Sequence, residues 1–119
     1  WSKDIENKEN KKFVEDFKLA YGRLPSLYAS QGYDTGKIIV SAMANANIKD
    51  MDAFREALRR APSQGFKSTR GKFSFSSNHH PIQDIFVREV VEENGILTNK
   101  LISSGLVDHS NAYVDQCKM

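Results

Sequence analysis

The spacing of the apolar residues changes at about residue 65, and this change constrains the fold more than any other feature of the sequence. Before it, apolar residues recur every three or four positions, as they do on the buried face of a helix. After it, they alternate with polar residues, as they do in a strand. The sequence therefore predicts an α/β fold in which three helices are followed by three to four strands.

Three segments have the helical period, at residues 10–21, 27–46 and 51–61. A residue suited to a helix end flanks each of them: Gly22, Ser26 and Asp50. The second segment is apolar around most of its circumference, so we expect it to be covered on more than one side. It also contains Gly32 and Gly36, which each cost about 1 kcal/mol relative to Ala in a helix. We expect close backbone packing there in compensation.

The alternating part of the chain begins at KFSFS, residues 72–76, and continues through PIQDIFVREVV and ILTNKLISSG. The pair Asn94 and Gly95 separates the last two runs and is a strong signal for a two-residue hairpin turn. The sequence therefore predicts an antiparallel hairpin from about residue 83 to about residue 105. Residues 110–119 are expected to close the chain with a short helical turn.

Composition and charge exclude several classes of partner and site. The net charge of +2 arises from 17 basic and 15 acidic residues, so no nucleic acid or anionic lipid is expected as a partner. A single cysteine, Cys117, excludes an internal disulfide and a zinc site built from several cysteines. No apolar run approaches the roughly 20 residues that span a bilayer. The opening WSKDIENKENKK has neither an initiator Met nor a signal-peptide core, so we expect that a targeting segment, or more of the chain, has been removed.

The histidines form no recognisable catalytic or metal-binding motif. His79 and His80 are adjacent, so their side chains point to opposite sides of an extended chain and make poor co-ligands. The third histidine, His109, follows Asp108, but neighbours in sequence do not make a catalytic triad. A nucleophile elbow and a glycine-rich phosphate loop are also missing from the sequence. We expect no metal, no cofactor, no catalytic residue and no enzymatic activity, and we interpret NHHP as an exposed turn before a strand.

Tyr28 and Gln31 are the candidate binding residues. They open the second helix directly after the link RLPS, where side chains often face a cleft and helix amides favour anions. The alternative is that Tyr28 is an aromatic residue of the core, and the pattern of residues alone leaves both interpretations open.

Several long segments resemble one family. The residues NKKFVEDFKLAYGRLPSLYASQGYDTGKIIVSAMANA, DMDAFREALRRA and RGKFSFSSNHHPIQDIFVREVV, with the tail HSNAYVDQCKM, resemble the C-terminal portion of type I periplasmic solute-binding proteins of ABC transporters. The closest groups in pattern are the leucine/isoleucine/valine-binding proteins and their branch that takes aromatic acids. The resemblance runs over nearly the whole chain, and YASQGYD and PIQDIFVREV make it specific.

The resemblance implies the C-terminal part of a two-lobed Venus-flytrap fold, in which a ligand lies in the cleft between the lobes. Residues 1–24 would belong to the second lobe, and residues 25–82 would cross a hinge and supply first-lobe helices and a strand. Residues 83–119 would form a second hinge-crossing strand, the hairpin and the tail. Tyr28 matches a position where the family often places an aromatic side chain against the ligand, and Gln31, one turn further on, is the second candidate.

The implied function is that of the extracytoplasmic, periplasmic solute-binding component of an ABC importer. Its partners would be an amino acid or an aromatic carboxylate and the permease subunits in the membrane. The loops that grip the ligand in the rest of the fold are not in this sequence, so ligand identity does not follow from it. The faces that such segments normally cover would be exposed, so we expect a co-folded partner segment, self-association of the fragment as a domain-swapped oligomer, or a chain that is the ordered part of a longer protein. The alternatives are a small self-contained α/β interaction module and a ligand-sensing domain of the same fold.

Overall fold

The computed structural model describes residues 1–117, and these residues form three helices followed by a three-stranded sheet. The predicted α/β order is therefore confirmed. The elements are α1 (Lys8–Tyr21), α2 (Leu27–Asn45), α3 (Met51–Arg60), a short 3₁₀ turn (Ala61–Ser63), β1 (Phe73–Phe75), β2 (Pro81–Glu93), β3 (Ile96–His109) and a second 3₁₀ turn (Val114–Gln116). The last of these confirms the predicted helical turn near the chain end, although residues 118–119 of that segment lie outside the described residues.

The helix ends follow the capping residues in the sequence. The side chain of Ser26 accepts a hydrogen bond from the amide of Ala29, and Asp50 caps α3 in the same way. Gly22 has a φ of 66°, the left-handed conformation expected after a helix. The first helix begins two residues earlier than predicted because Asn7 caps it, accepting from the amide of Asn10.

The second helix is less covered than its apolar sequence predicts. Val40 is 67% exposed, and Ile39 and Met43 are also exposed. The expectation of close packing at Gly32 and Gly36 is wrong for this chain, since a Cβ atom at either position would meet nothing within 4 Å. Both differences have one cause, which is that the neighbouring residues Glu9 and 64–67 leave an open groove along Gly32, Gly36 and Val40 and do not pack onto them.

The sheet is antiparallel, with the strand order β1-β2-β3. Asn94 and Gly95 join β2 to β3 with φ values of 54° and 77°, so the predicted two-residue turn is confirmed. The hairpin is longer at both ends than residues 83–105, because β2 begins at Pro81 and β3 continues to His109. Its pairing is irregular between residues 83 and 88, where three register shifts interrupt the ladder.

The buried side chain of Asn10 in α1 holds residues 1–5 against this helix through hydrogen bonds. Asn10 is fully buried, and its Nδ2 donates to three backbone carbonyls, those of Ser2, Lys3 and Ile5, each at 3.1 Å. Its Oδ1 accepts from the indole nitrogen of Trp1 at 2.6 Å. The segment therefore has a fixed path beside the helix without a secondary structure of its own.

The core of the chain is small for its length. Its buried apolar side chains are few, and half of them are alanines: Ile5, Phe13, Ala42, Ala57, Ala61 and Phe66. The accessible surface is 8177 Å², whereas a globular monomer of 13.5 kDa exposes about 6,500 Å². The radius of gyration is 16.1 Å, against about 13.5 Å for a compact domain of this length. The described residues thus have the surface of an incomplete structure. None of their helices combines the length and apolarity needed to cross a membrane.

Candidate functional site

A polar cleft of about 230 Å³ lies between the start of α2 and the first half of β2. Its lining residues are Trp1, Leu27, Gln31, Arg70, Gln83, Asp84, Ile85, Phe86 and Arg88. The cap at Ser26 fixes where α2 begins, so that Leu27 and Gln31, one helical turn apart, face the strand together. The volume is below the roughly 300–1,000 Å³ of a complete small-molecule site, which fits one wall of a larger site.

Arg70 is the most constrained charged residue of the cleft. Its Nη1 donates to Oε1 of Gln83 at 2.9 Å, and its side chain is only 12% exposed. Its Nε lies 3.8 Å from Oδ2 of Asp34, which is an ion-pair distance but too long for a hydrogen bond. Within residues 1–117, this Nε is buried without a hydrogen-bond partner. Burial lowers the pKa of the Arg70 guanidinium, and the negative charge of Asp34 partly opposes that effect.

Asp34 holds the loop that carries Arg70 against α2. The carboxylate is 4% exposed and accepts three hydrogen bonds, from Ser68 Oγ at 2.6 Å and from the amide and hydroxyl of Thr69 at 3.1 Å each. Because the Thr69 hydroxyl donates to Asp34, the hydroxyl of Ser30, 2.9 Å away, donates to Thr69. This buried network fixes the backbone at residues 68–70 and so fixes the position of the Arg70 side chain.

The side chains that line the cleft carry more positive than negative charge, and the Asp34 carboxylate outside the lining lies 3.8 Å from Nε of Arg70. Two guanidinium groups line the cleft, those of Arg70 and Arg88, beside one carboxylate, that of Asp84. Asp84 already accepts a hydrogen bond from the amide of Asp108 at 2.9 Å, and Arg88 donates to the carbonyl of Trp1 at 2.9 Å. An anion is therefore the kind of group that the cleft can hold.

The structure separates the two predicted binding residues. Gln31 lines the cleft, whereas Tyr28 is 79% exposed at the start of α2 and is not among the lining residues. Both remain predictions as ligand contacts. Sequence reasoning missed Arg70 and Gln83, which are 13 positions apart and meet because β1 pairs with β2 so that Phe73 faces Gln83. The only available signal was the antiparallel pairing of the two alternating runs around NHHP.

The histidines lie away from the cleft. His79 and His80 are exposed in the turn between β1 and β2, as predicted for NHHP, and His79 has a φ of 60°. His109 is exposed at the end of β3. Among the described residues, no group of three or more His, Cys, Asp or Glu side chains is arranged to hold a metal ion.

Comparison with protein families gives one match. A family model described as periplasmic binding protein matches residues 1–95, which is about four-fifths of the chain. No protein with a curated description matches the chain.

Solved structures of similar fold are solute-binding or substrate-binding proteins of ABC transporters. One, from R. palustris in complex with benzoate, is 26% identical with a TM-score of 0.64, and the match covers 93% of this chain and 31% of that one. A second, from Sphaerobacter thermophilus, is 25% identical with a TM-score of 0.76, over 91% of this chain and 29% of that one. A third, from Rhodopseudomonas palustris BisB5 in complex with 3,4-dihydroxybenzoic acid, has a similar fold at 24% identity, with a TM-score of 0.63 over 91% of this chain and 30% of that one. The chain thus spans less than one third of the length of each.

Proposed function

This chain belongs to the periplasmic binding protein family, and from that premise we propose that it is the C-terminal part of the solute-binding component of an ABC importer. The observation that carries the proposal is the match over 93% of the chain to a solute-binding protein in complex with benzoate. The positive charge of the cleft supports it, because the proposed solutes, aromatic acids or amino acids, all carry a carboxylate. The protein would bind its solute and deliver it to the permease without chemical change.

The proposal includes a division of the chain between two lobes. Residues 1–24 would belong to the second lobe, residues 25–82 would cross the hinge into the first lobe, and residues 83–119 would return along β2. A solute between the lobes would select the closed form by contacting both of them. Such a protein would work outside the cytoplasm, in the periplasm, where the permease receives the solute.

The large exposed surface argues against the rival proposal of a self-contained interaction module. The chain exposes about 1,600 Å² more than a compact monomer of its mass, which is close to the total area buried in a standard protein interface. A module that folds and acts by itself is expected to bury this additional surface within its own structure. Segments of the same protein, or a second copy of it, would cover this surface.

The test is solute binding by the full-length protein. We expect isothermal titration calorimetry to detect saturable binding of benzoate, 3,4-dihydroxybenzoate or L-leucine. If none of the three binds, the proposed solute class is wrong.

Replacement of Tyr28 by Ala tests the predicted aromatic contact. We expect the variant to bind an aromatic acid about 10-fold more weakly, because one ring-to-ring contact and its buried area are lost. Tyr113→Ala is the matched control, since Tyr113 is also an exposed tyrosine and lies in the tail. An affinity that is unchanged in Tyr28→Ala would remove Tyr28 from the site.

A further inference from the structure

We propose that Arg70 provides the counter-charge for the carboxylate of the solute, and that it therefore makes the cleft select acids over their neutral amides. This inference rests on the proposed solute-binding function and assigns the selectivity of the site to one residue.

Arg70 is held in place before any solute arrives. Gln83 fixes Nη1 from β2, and the loop that carries Arg70 is fastened to α2 through Asp34 and Thr69. The side chain thus has little freedom to lose on binding. A preorganised donor of this kind gives up less entropy on contact with a ligand than an exposed lysine or arginine does.

The unused donors of Arg70 are suited to a carboxylate. Nε is buried 3.8 Å from Asp34 and is out of reach of a solute, whereas Nη2 makes no hydrogen bond to any described residue and is the donor left for a solute. A guanidinium group has five N–H donors in a planar fork that matches the two oxygens of a carboxylate. An incoming carboxylate oxygen would meet Nη2 at the cleft wall.

The existing counter-charge is only partial. Asp34 is 3.8 Å from Nε, and its oxygens are already shared among three donors from Ser68 and Thr69. The second cation of the cleft, Arg88, is exposed and donates to a backbone carbonyl. It adds positive charge and supplies no negative charge to balance that of Arg70. A buried cation with one distant, shared counter-ion is stabilised by a second anion. A neutral amide offers no such stabilisation.

The first experiment needs no variant. Titration calorimetry on the full-length protein compares benzoate, 3,4-dihydroxybenzoate and L-leucine with their primary amides. We expect each acid that binds to bind about 10- to 100-fold more tightly than its amide, the usual effect of one charge-assisted hydrogen bond. If an amide binds as tightly as its acid, solute binding stands and the role of Arg70 is overturned. If neither acids nor amides bind, the proposed function fails, and this inference fails with it.

The second experiment assigns the selectivity to Arg70. We expect Arg70→Gln to bind the acid about 10- to 100-fold more weakly than the wild type does and to bind the amide with unchanged affinity. The ratio of the affinity for the acid to that for the amide should then approach one. Arg70→Lys, which keeps the charge, should restore part of the ratio. Arg55→Gln is the matched control, since Arg55 is an exposed arginine of α3 that does not line the cleft, and it should change the ratio less than about threefold. If Arg70→Gln lowers the affinities for the acid and for the amide equally, Arg70 only stabilises the loop that carries it, and the proposal is wrong.

Discussion

Removal of the Asp34 carboxylate tests how much the buried network contributes to the stability of the fold. In Asp34→Ala, the hydroxyl of Ser68 and the amide of Thr69 lose their acceptor, while the Thr69 hydroxyl keeps Ser30 as a partner. Each orphaned buried donor costs about 1–3 kcal/mol. The guanidinium of Arg70 also loses its nearest counter-charge, and breaking a buried ion pair on one side costs about 3–5 kcal/mol. Since these contributions overlap, we expect a loss of about 3–5 kcal/mol in the free energy of unfolding.

The assay is equilibrium urea unfolding of the full-length protein, followed by far-ultraviolet circular dichroism. Asp52→Ala is the matched control, because Asp52 is also an aspartate paired with an arginine, Arg55, at 2.9 Å, but both side chains are largely exposed. We expect the control to cost less than about 1 kcal/mol. A change in midpoint without a change in slope identifies the effect as one on stability.

If Asp34→Ala and Asp52→Ala lower the free energy of unfolding by similar amounts, the buried network stabilises the fold no more than an exposed ion pair does. A double variant separates the contribution of the Asp34–Arg70 ion pair from that of the hydrogen bonds to Asp34. Asp34→Ala combined with Arg70→Met removes the unpaired charge and should recover at least about 1 kcal/mol relative to the sum of the single variants. If the two losses simply add, the ion pair contributes nothing and the cost comes from the hydrogen bonds alone.

Two further predictions concern the helices. Gly36→Ala should raise the free energy of unfolding of this chain by about 0.5–1 kcal/mol, because an added Cβ meets nothing within 4 Å and Ala is the better helix former. The measurement is urea unfolding, and a decrease would show that the face of α2 around Gly36 is covered. The hydrogen bond from Arg59 is the largest cause that lowers the pKa of the Glu56 carboxyl, from 4.5 to about 2; loss of solvent raises it, and the hydrogen bond from Arg60 lowers it further. The pairing therefore contributes stability above the unfolded pKa of 4.5 and loses it as the pH falls towards about 2. The difference in unfolding temperature between the wild type and Glu56→Gln should shrink over that range and in high salt, and a constant difference would contradict the assignment.

The parts of the fold that could be predicted are those that depend on neighbours in sequence. Caps at Ser26 and Asp50 and the turn at Asn94 and Gly95 act over two to four residues, and each lies where its sequence signal indicates. The hairpin was predicted too short at both ends. Strand β2 begins at Pro81, the first residue of the run PIQDIFVREVV, and β3 continues past its run ILTNKLISSG to His109, so pairing between the strands and not sequence period sets the length.

The candidate site was predictable only in part. Gln31 could be named because it follows a helix start, but Arg70, Asp34 and Gln83 come together through contacts over 13 to 36 positions that no local pattern encodes. The expectation of close packing at Gly36 failed for a related reason, since sequence shows that a helix face is suited to a neighbour without showing whether the chain supplies one.

The shape of the hairpin has a mechanical consequence. From Gln83, which holds Arg70, to the turn at Asn94, β2 extends about 35 Å at 3.3 Å per residue. The register shifts that weaken its pairing lie between residues 83 and 88, at the cleft end, while pairing from residue 88 to the turn is regular. Bending is therefore concentrated near the fixed end of a stiff arm, and a rotation of about 5° there displaces the turn by about 3 Å. A small adjustment at the cleft would therefore produce a larger displacement at the hairpin tip, which a distance measurement between two labels would resolve.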